Sequence, residues 1–268
     1  MTTSLRSVGD AELEVTDWAS GEPLVFIQTA LTADELLPLA RDEALAGYRK
    51  IVYHRRGYAG SSPAVPPGSI ARDAHDCVGL LAALGVEDAH VVGFSYSGAV
   101  AMQLAASEPE RTSSLVLIEP PPVHVALAAE FREANERLIR TRQEHGPAEA
   151  LDEFLSHLIG QDWRAKTEQQ IPGSGLQMER DAATFFDCDM PALLDWEFGP
   201  EDARRIACAV LHVGAGDSGP WFAQVRELML DWFPGAEDVV IADADHGLAL
   251  SHPAEVAQAI ALFLERER

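Results

Sequence analysis

The chain of 268 residues reads as an α/β protein, a doubly wound and mostly parallel sheet with an inserted helical cap. Three observations carry that expectation. Short apolar runs such as Leu24-Val25-Phe26-Ile27 do not alternate with polar residues, which marks strands buried on both faces. Segments of helical periodicity separate these runs, as right-handed β-α-β crossovers require. The alternation then breaks once: from Ala126 to about Asp202 the periodicity is helical and no strand pattern appears. Residues 1–122 and 203–268 are therefore expected to form the core, and residues 123–202 the cap.

Taken in order, Leu13 and Val15 lie on one side of an alternating run, and Leu24 to Ile27 is the first strand buried on both faces. Thr32-Ala-Asp-Glu35 has the spacing of a capping box and predicts a helix through Leu36, Leu37 and Leu39. Ile51-Val52-Tyr53 is the next strand and runs into a turn-rich loop, His54 to Pro63. Ile70, Cys77, Leu80, Leu81 and Leu84 fall at helical spacing between Ser69 and Gly85. A strand over Ala89 to Gly93, a helix over Gly98 to Ser107 stopped before Pro109, and a strand over Ser114 to Ile118 follow. After the helical stretch the strands resume at Ala209 to Val213 and at Asp238 to Ala242, with helices predicted over Trp221 to Trp232 and Pro253 to Glu265.

Charge excludes whole classes of partner. The net charge of −23, with two lysines among twenty basic residues, repels phosphate backbones and anionic headgroups. Nucleic acid and membrane surfaces are thus not expected partners; a small-molecule substrate is, and a homodimer is left open. The first ten residues hold no apolar leader segment and no stretch approaches the ~18 apolar residues of a membrane span, so a cytoplasmic protein is expected. Cys77, Cys188 and Cys208 are widely spaced and form no metal-ligand pattern, so neither a disulfide nor a metal is implied.

The chemistry is concentrated at Val91-Val92-Gly93-Phe94-Ser95-Tyr96-Ser97-Gly98. An apolar strand ends in glycine, and a serine stands between small residues where a helix begins. A strand-to-helix turn this sharp holds its central residue in a strained backbone conformation and aims the Ser95 hydroxyl out at a helix N-terminus. A serine hydroxyl is a weak nucleophile at neutral pH. It needs a base, and the base needs an orienting acid. In this order of elements the acid and the histidine follow the serine, each at the carboxyl end of a strand. Asp217, in Gly214-Ala215-Gly216-Asp217-Ser218-Gly219, and His246, in Asp243-Ala244-Asp245-His246-Gly247, meet that condition and are the assigned partners. Glu119, ending the strand that follows the elbow helix, is the rival acid, able to reach the histidine from the other side.

On these residues the chain resembles the α/β-hydrolase fold superfamily, in the group with a helical cap, over nearly its whole length. Gly93 to Gly98 resembles the elbow, Arg56-Gly57-Tyr58 with Ser61-Ser62 the D-x-R-G-x-G-x-S loop, Gly214 to Asp217 the acid loop, and Asp245-His246-Gly247 the histidine loop. The resemblance implies acyl transfer through a serine ester, no cofactor, and an oxyanion hole built from the backbone N–H groups of Tyr96 and Ala30. Three departures stand out. Gln28-Thr29 replaces the usual His-Gly, His54 replaces the usual Asp, and Ser97 replaces the second elbow glycine. The leading expectation is a serine hydrolase acting on an ester, lactone or thioester of a small-to-medium, mainly apolar substrate. The alternatives are an acyltransferase or cyclase, and a non-hydrolytic lyase, cofactor-independent oxygenase or ligand-binding protein. Gln28, Thr29, Trp163, Phe185, Phe186 and Trp196 are the residues expected to border the substrate, the aromatic four having the competing reading of a core for the cap itself.

Overall fold

In the computed structural model, which describes residues 2–267, eight strands form one sheet in the order β1-β2-β4-β3-β5-β6-β7-β8. The strands are β1 (Thr2–Val8), β2 (Ala11–Trp18), β3 (Pro23–Ile27), β4 (Arg49–Tyr53), β5 (Ala89–Phe94), β6 (Thr112–Ile118), β7 (Ala209–Ala215) and β8 (Glu237–Ile241). β1 pairs antiparallel with β2, and β2 with β4; every later pairing is parallel. β1 escaped the sequence reading because it is an edge strand whose residues are mostly exposed, so its apolar pattern is sparse.

The period of two along each strand divides the core. Val25, Ile27, Val91, Leu115 and Leu117 face α2 (Ile70–Ala83), α3 (Tyr96–Ser107) and α10 (Pro220–Trp232). Leu24, Phe26, Val92, Phe94, Val116 and Ile118 face α1 (Leu37–Ala40) and α12 (Pro253–Arg266) on the other side. Between β6 and β7 the chain leaves the sheet for α4 (Ala128–His145), α5 (Pro147–Ile159), α6 (Trp163–Gln170), α7 (Ser174–Thr184), α8 (Met190–Leu194) and α9 (Pro200–Ala203), with a π-turn over Phe185–Asp189. Leu138, Leu151, Trp163, Met178 and Phe186 give these helices a core of their own, into which Leu31 of the sheet domain inserts. α11 (Leu248–Ser251) follows β8.

Two local expectations are corrected. The capping box at Thr32 does not form: the Thr32 hydroxyl donates to Met178 Sδ at 3.3 Å, and the helix is a single turn beginning at Leu37. Contact with the cap outcompetes local capping there. The elbow helix begins at Tyr96 and not at Gly98, so it starts immediately after the serine.

Among the described residues no helix is long and apolar enough to cross a membrane, and no group of three or more His, Cys, Asp or Glu is placed to hold a metal ion.

Candidate active site

The order of the sheet reverses between β3 and β5: the chain steps from β3 out to β4 on one side, and from β5 out to β6 on the other. Crevices in open parallel sheets form at the carboxyl ends of strands where the order reverses. Here those ends carry Gln28-Thr29-Ala30 after β3 and Ser95 after β5.

Ser95 has φ 50° and ψ −120°, the strained conformation the elbow demands. Its neighbours show why. A Cβ on Gly93 would lie 2.3 Å from the Ser97 carbonyl oxygen, and one on Gly98 would lie 2.8 Å from Pro120 Cβ. Position 97 tolerates a side chain because the Ser97 hydroxyl folds back into the turn, accepting from the Phe94 N–H at 2.9 Å and donating to the Phe94 carbonyl at 3.0 Å. The serine in place of the second elbow glycine therefore ties the turn together, while Gly98 provides the close approach to Pro120.

The Ser95 hydroxyl donates to His246 Nε2 at 3.0 Å. His246 Nδ1–H donates to Glu119 Oε2 at 2.7 Å. A carboxylate only accepts, so this contact puts the imidazole proton on Nδ1 and leaves Nε2 free to take the serine proton. The ring is clamped: Phe222 stacks on it with centroids 4.1 Å apart, and Phe94 lies 5.1 Å away. Glu119 is buried and directly follows β6, with φ 38°. Its other side-chain contacts come from the end of β7 and the turn that follows, with Ala215 N–H donating to Oε1 at 2.9 Å and the Ser218 hydroxyl donating to Oε2 at 2.7 Å.

Asp217 was the assigned acid, and the structure does not bring it to the histidine. β7 runs on to Ala215, so the glycine-rich turn carries Asp217 past the crevice; its side chain is exposed and its backbone N–H bonds to the Ala244 carbonyl at 2.9 Å. The loop thus supplies Glu119 with donors in place of the acid itself. The Pro120-Pro121-Pro122 run was the available signal, since it rigidifies the chain directly after a carboxylate at the end of a central strand.

Loop 28–31 is held from below by a buried arginine that sequence reasoning missed. Arg55 Nε donates to the Gln28 carbonyl at 2.9 Å and Nη2 to the Thr29 carbonyl at 3.2 Å. Its guanidinium lies 4.2 Å from the Tyr96 ring centroid. Burial works against its charge, which Asp189 of the cap (2.7 and 3.0 Å) and Asp73 of α2 (2.8 Å) compensate. Tyr58 completes the set: its hydroxyl donates to Asp189 at 2.6 Å and accepts from the Leu31 N–H at 3.3 Å. One cation therefore touches both segments that flank Ser95, and joins them to the cap.

His54, where the resembled loop carries Asp, bridges two carboxylates, Glu14 at 2.8 Å and Asp34 at 3.0 Å. Burial opposes its charge, but these two partners outweigh it and raise the imidazole to about 9.

A cavity of about 530 Å³ lies above Ser95, Tyr96 and His246, with Thr29, Ala30 and Phe185 on its wall. Phe131, Trp221 and Phe222 add aromatic surface. Tyr96 is the first residue of α3, where a helix leaves its N–H without an intrahelical acceptor. The other four residues expected at the substrate are elsewhere. Gln28 turns its Oε1 to the Arg55 N–H at 3.0 Å, beneath the loop. Trp163 and Phe186 are buried in the core of the cap, where Trp163 Nε1 donates to Asp152 at 3.0 Å. Trp196 packs on His124 and Phe198 and donates to Gln103 at 3.0 Å.

The chain is similar to known hydrolases. RutD of Azorhizobium caulinodans, whose name proposes carbamate hydrolysis, is 34% identical over 111 residues, 41% of this chain and 42% of that protein. The chain thus matches about two-fifths of the length of that curated relative. Esterase YbfF of Escherichia coli is 26% identical over 260 residues, covering 91% of this chain and 94% of the relative. A thermophilic esterase from Thermogutta terrifontis superposes with a TM-score of 0.82 at 21% identity, over 100% of this chain and 99% of that one. The enol-lactonase of Burkholderia xenovorans LB400 superposes at 0.78 with 18% identity, over 98% and 100%. Residues 17–259 match the model of the alpha/beta hydrolase family, so the chain belongs to that family.

Proposed function

We propose that the protein is a serine hydrolase that cleaves an ester, lactone or thioester of a small-to-medium, mainly apolar substrate through an acyl-enzyme. The observation that carries this reading is the hydrogen-bonded series Ser95–His246–Glu119 beneath the cavity. The Ser95 oxygen attacks the carbonyl carbon as its proton passes to His246 Nε2. The imidazolium that forms is stabilised by Glu119, and the backbone N–H groups of Tyr96 and Ala30 receive the oxyanion. Collapse expels the leaving group, which takes the proton from His246. Water then attacks the acyl-enzyme with His246 again as base, releasing the acid and restoring Ser95.

The esterase, enol-lactonase and carbamate hydrolase names of the relatives support acyl chemistry of this kind. The aromatic wall of the cavity favours apolar acyl groups. Stopped-flow mixing with p-nitrophenyl butyrate tests the reading: a burst of one nitrophenolate per chain is expected, absent from Ser95→Ala. Steady turnover without a burst in the wild type, retained in Ser95→Ala, would overturn it.

A further inference from the structure

Three carboxyl groups border the main cavity, from Glu35, Asp152 and Glu153. Two are engaged. Asp152 accepts from Trp163 Nε1, and Glu153 accepts from Arg137 Nε at 3.1 Å and from the Thr141 hydroxyl at 2.9 Å. The second pair also neutralises Arg137, which shares the cavity wall. The Glu35 carboxyl, on a half-buried residue, has no hydrogen bond or ion pair to any other described residue. Desolvation by the surrounding side chains, with no partner to offset it, pushes its carboxyl up to about 8.

Its position gives the missing partner a direction. Glu35 also borders a second cavity of about 180 Å³, and Ile159, Thr167 and Gly247 line both spaces beside it. Gly247, next in the chain to His246, borders both spaces, which puts the second cavity on the histidine side of the site. Among the described residues lining the second cavity the one cation is Lys166, which is bound to Asp162 at 3.1 Å and to the Ile159 carbonyl at 3.1 Å. Asp245 adds a further carboxylate to that space, and its Oδ1 accepts from the Gly247 N–H. The net charge of −23 favours a cation there over an anion.

We propose that Glu35 binds a cationic amine in the leaving-group portion of the substrate, making the enzyme selective for esters of amino alcohols. This rests on the hydrolase reading above. An ammonium restores the charge that burial suppresses on Glu35 and forms a charge-assisted hydrogen bond with it, whereas a carboxylate on the leaving group would meet like charge. The acyl portion keeps the aromatic part of the main cavity.

A pair of butyrates of equal shape tests the proposal: 3-(dimethylamino)propyl butyrate, protonated at neutral pH, and its uncharged isostere 4-methylpentyl butyrate. Hydrolysis is followed by pH-stat in wild type and Glu35→Gln, and binding of 3-(dimethylamino)propan-1-ol by calorimetry in both. The wild type is expected to favour the charged ester by about tenfold or more in kcat/KM, a ratio that falls to about one in Glu35→Gln. The amino alcohol should bind the wild type and not the variant. A ratio unchanged by the substitution, or equal binding of the amino alcohol by both proteins, would overturn the role of Glu35 while leaving the hydrolase intact. If neither ester is cleaved, the hydrolase reading fails, and the calorimetry still decides whether Glu35 binds the amine.

Discussion

Replacing Glu119 with glutamine keeps the shape of the side chain and removes the property the site depends on, two oxygens that only accept. In the native arrangement Oε1 takes the Ala215 N–H, while Oε2 takes both the Ser218 hydroxyl and His246 Nδ1–H. A glutamine has one such oxygen. If it stays on Ala215, its NH2 faces His246 and selects the tautomer with the proton on Nε2, which cannot accept from Ser95. If it turns over, two N–H groups oppose each other at Ala215. Either way the base is lost or the pocket is left with an unpaired buried donor. A wrong-tautomer substitution in a serine triad costs ~10⁴ in rate, or about 5 kcal/mol of transition-state stabilisation. The assay is kcat for p-nitrophenyl butyrate in Glu119→Gln beside Asp217→Asn, with circular dichroism to confirm folding. Asp217→Asn, at an exposed side chain, should stay within about threefold of wild type, the range of a surface change. Glu119→Gln retaining more than a tenth of the activity, or Asp217→Asn falling as far, would refute the assignment.

The buried arginine and the bridged histidine give further expectations. Tyr58→Phe removes the acceptor for the Leu31 N–H and one donor to Asp189, both buried, and should destabilise by about 1–3 kcal/mol. Because that hydroxyl also steadies loop 28–31, kcat should fall roughly tenfold with KM little changed; urea unfolding and steady-state kinetics measure the two effects. His54 has a folded-state pKa raised from 6.5 to about 9, so the folded protein binds the extra proton over that window. Its contribution is complete below pH 6.5 and lost as pH rises towards 9. It amounts to about 1–3 kcal/mol once the exposure of Asp34 is allowed for. Thermal melts across this range should show the decline, and His54→Asn should flatten it.

What was legible in the sequence follows what local pattern can carry. The buried parallel strands announce themselves, because burial on both faces leaves unbroken apolar runs such as Leu24 to Ile27. Ser95 and His246 were legible because each sits at the carboxyl end of a strand, where the fold determines what the residue faces. The acid was harder. Glu119 and Asp217 follow the ends of adjacent strands, and the choice between them depends on where β7 stops and how far each side chain reaches, neither of which is a local property. Arg55 was invisible for a related reason: its partners Asp73 and Asp189 are 18 and 134 residues away, and a buried ion pair leaves no periodicity. The cap aromatics illustrate the same limit. Phe185 and Phe186 are adjacent and packed ring on ring, yet only Phe185 borders the cavity.

The most direct measurement of the central claim, that Ser95 is a base-activated nucleophile, is covalent labelling by a fluorophosphonate followed by intact mass and peptide mapping. Only a hydroxyl paired with a base beside an oxyanion site reacts quickly with such a probe. The account predicts one adduct per chain, on Ser95, absent from Ser95→Ala and slowed in step with kcat in Glu119→Gln. An adduct on another serine, or no adduct on folded protein that still turns over ester, would contradict it.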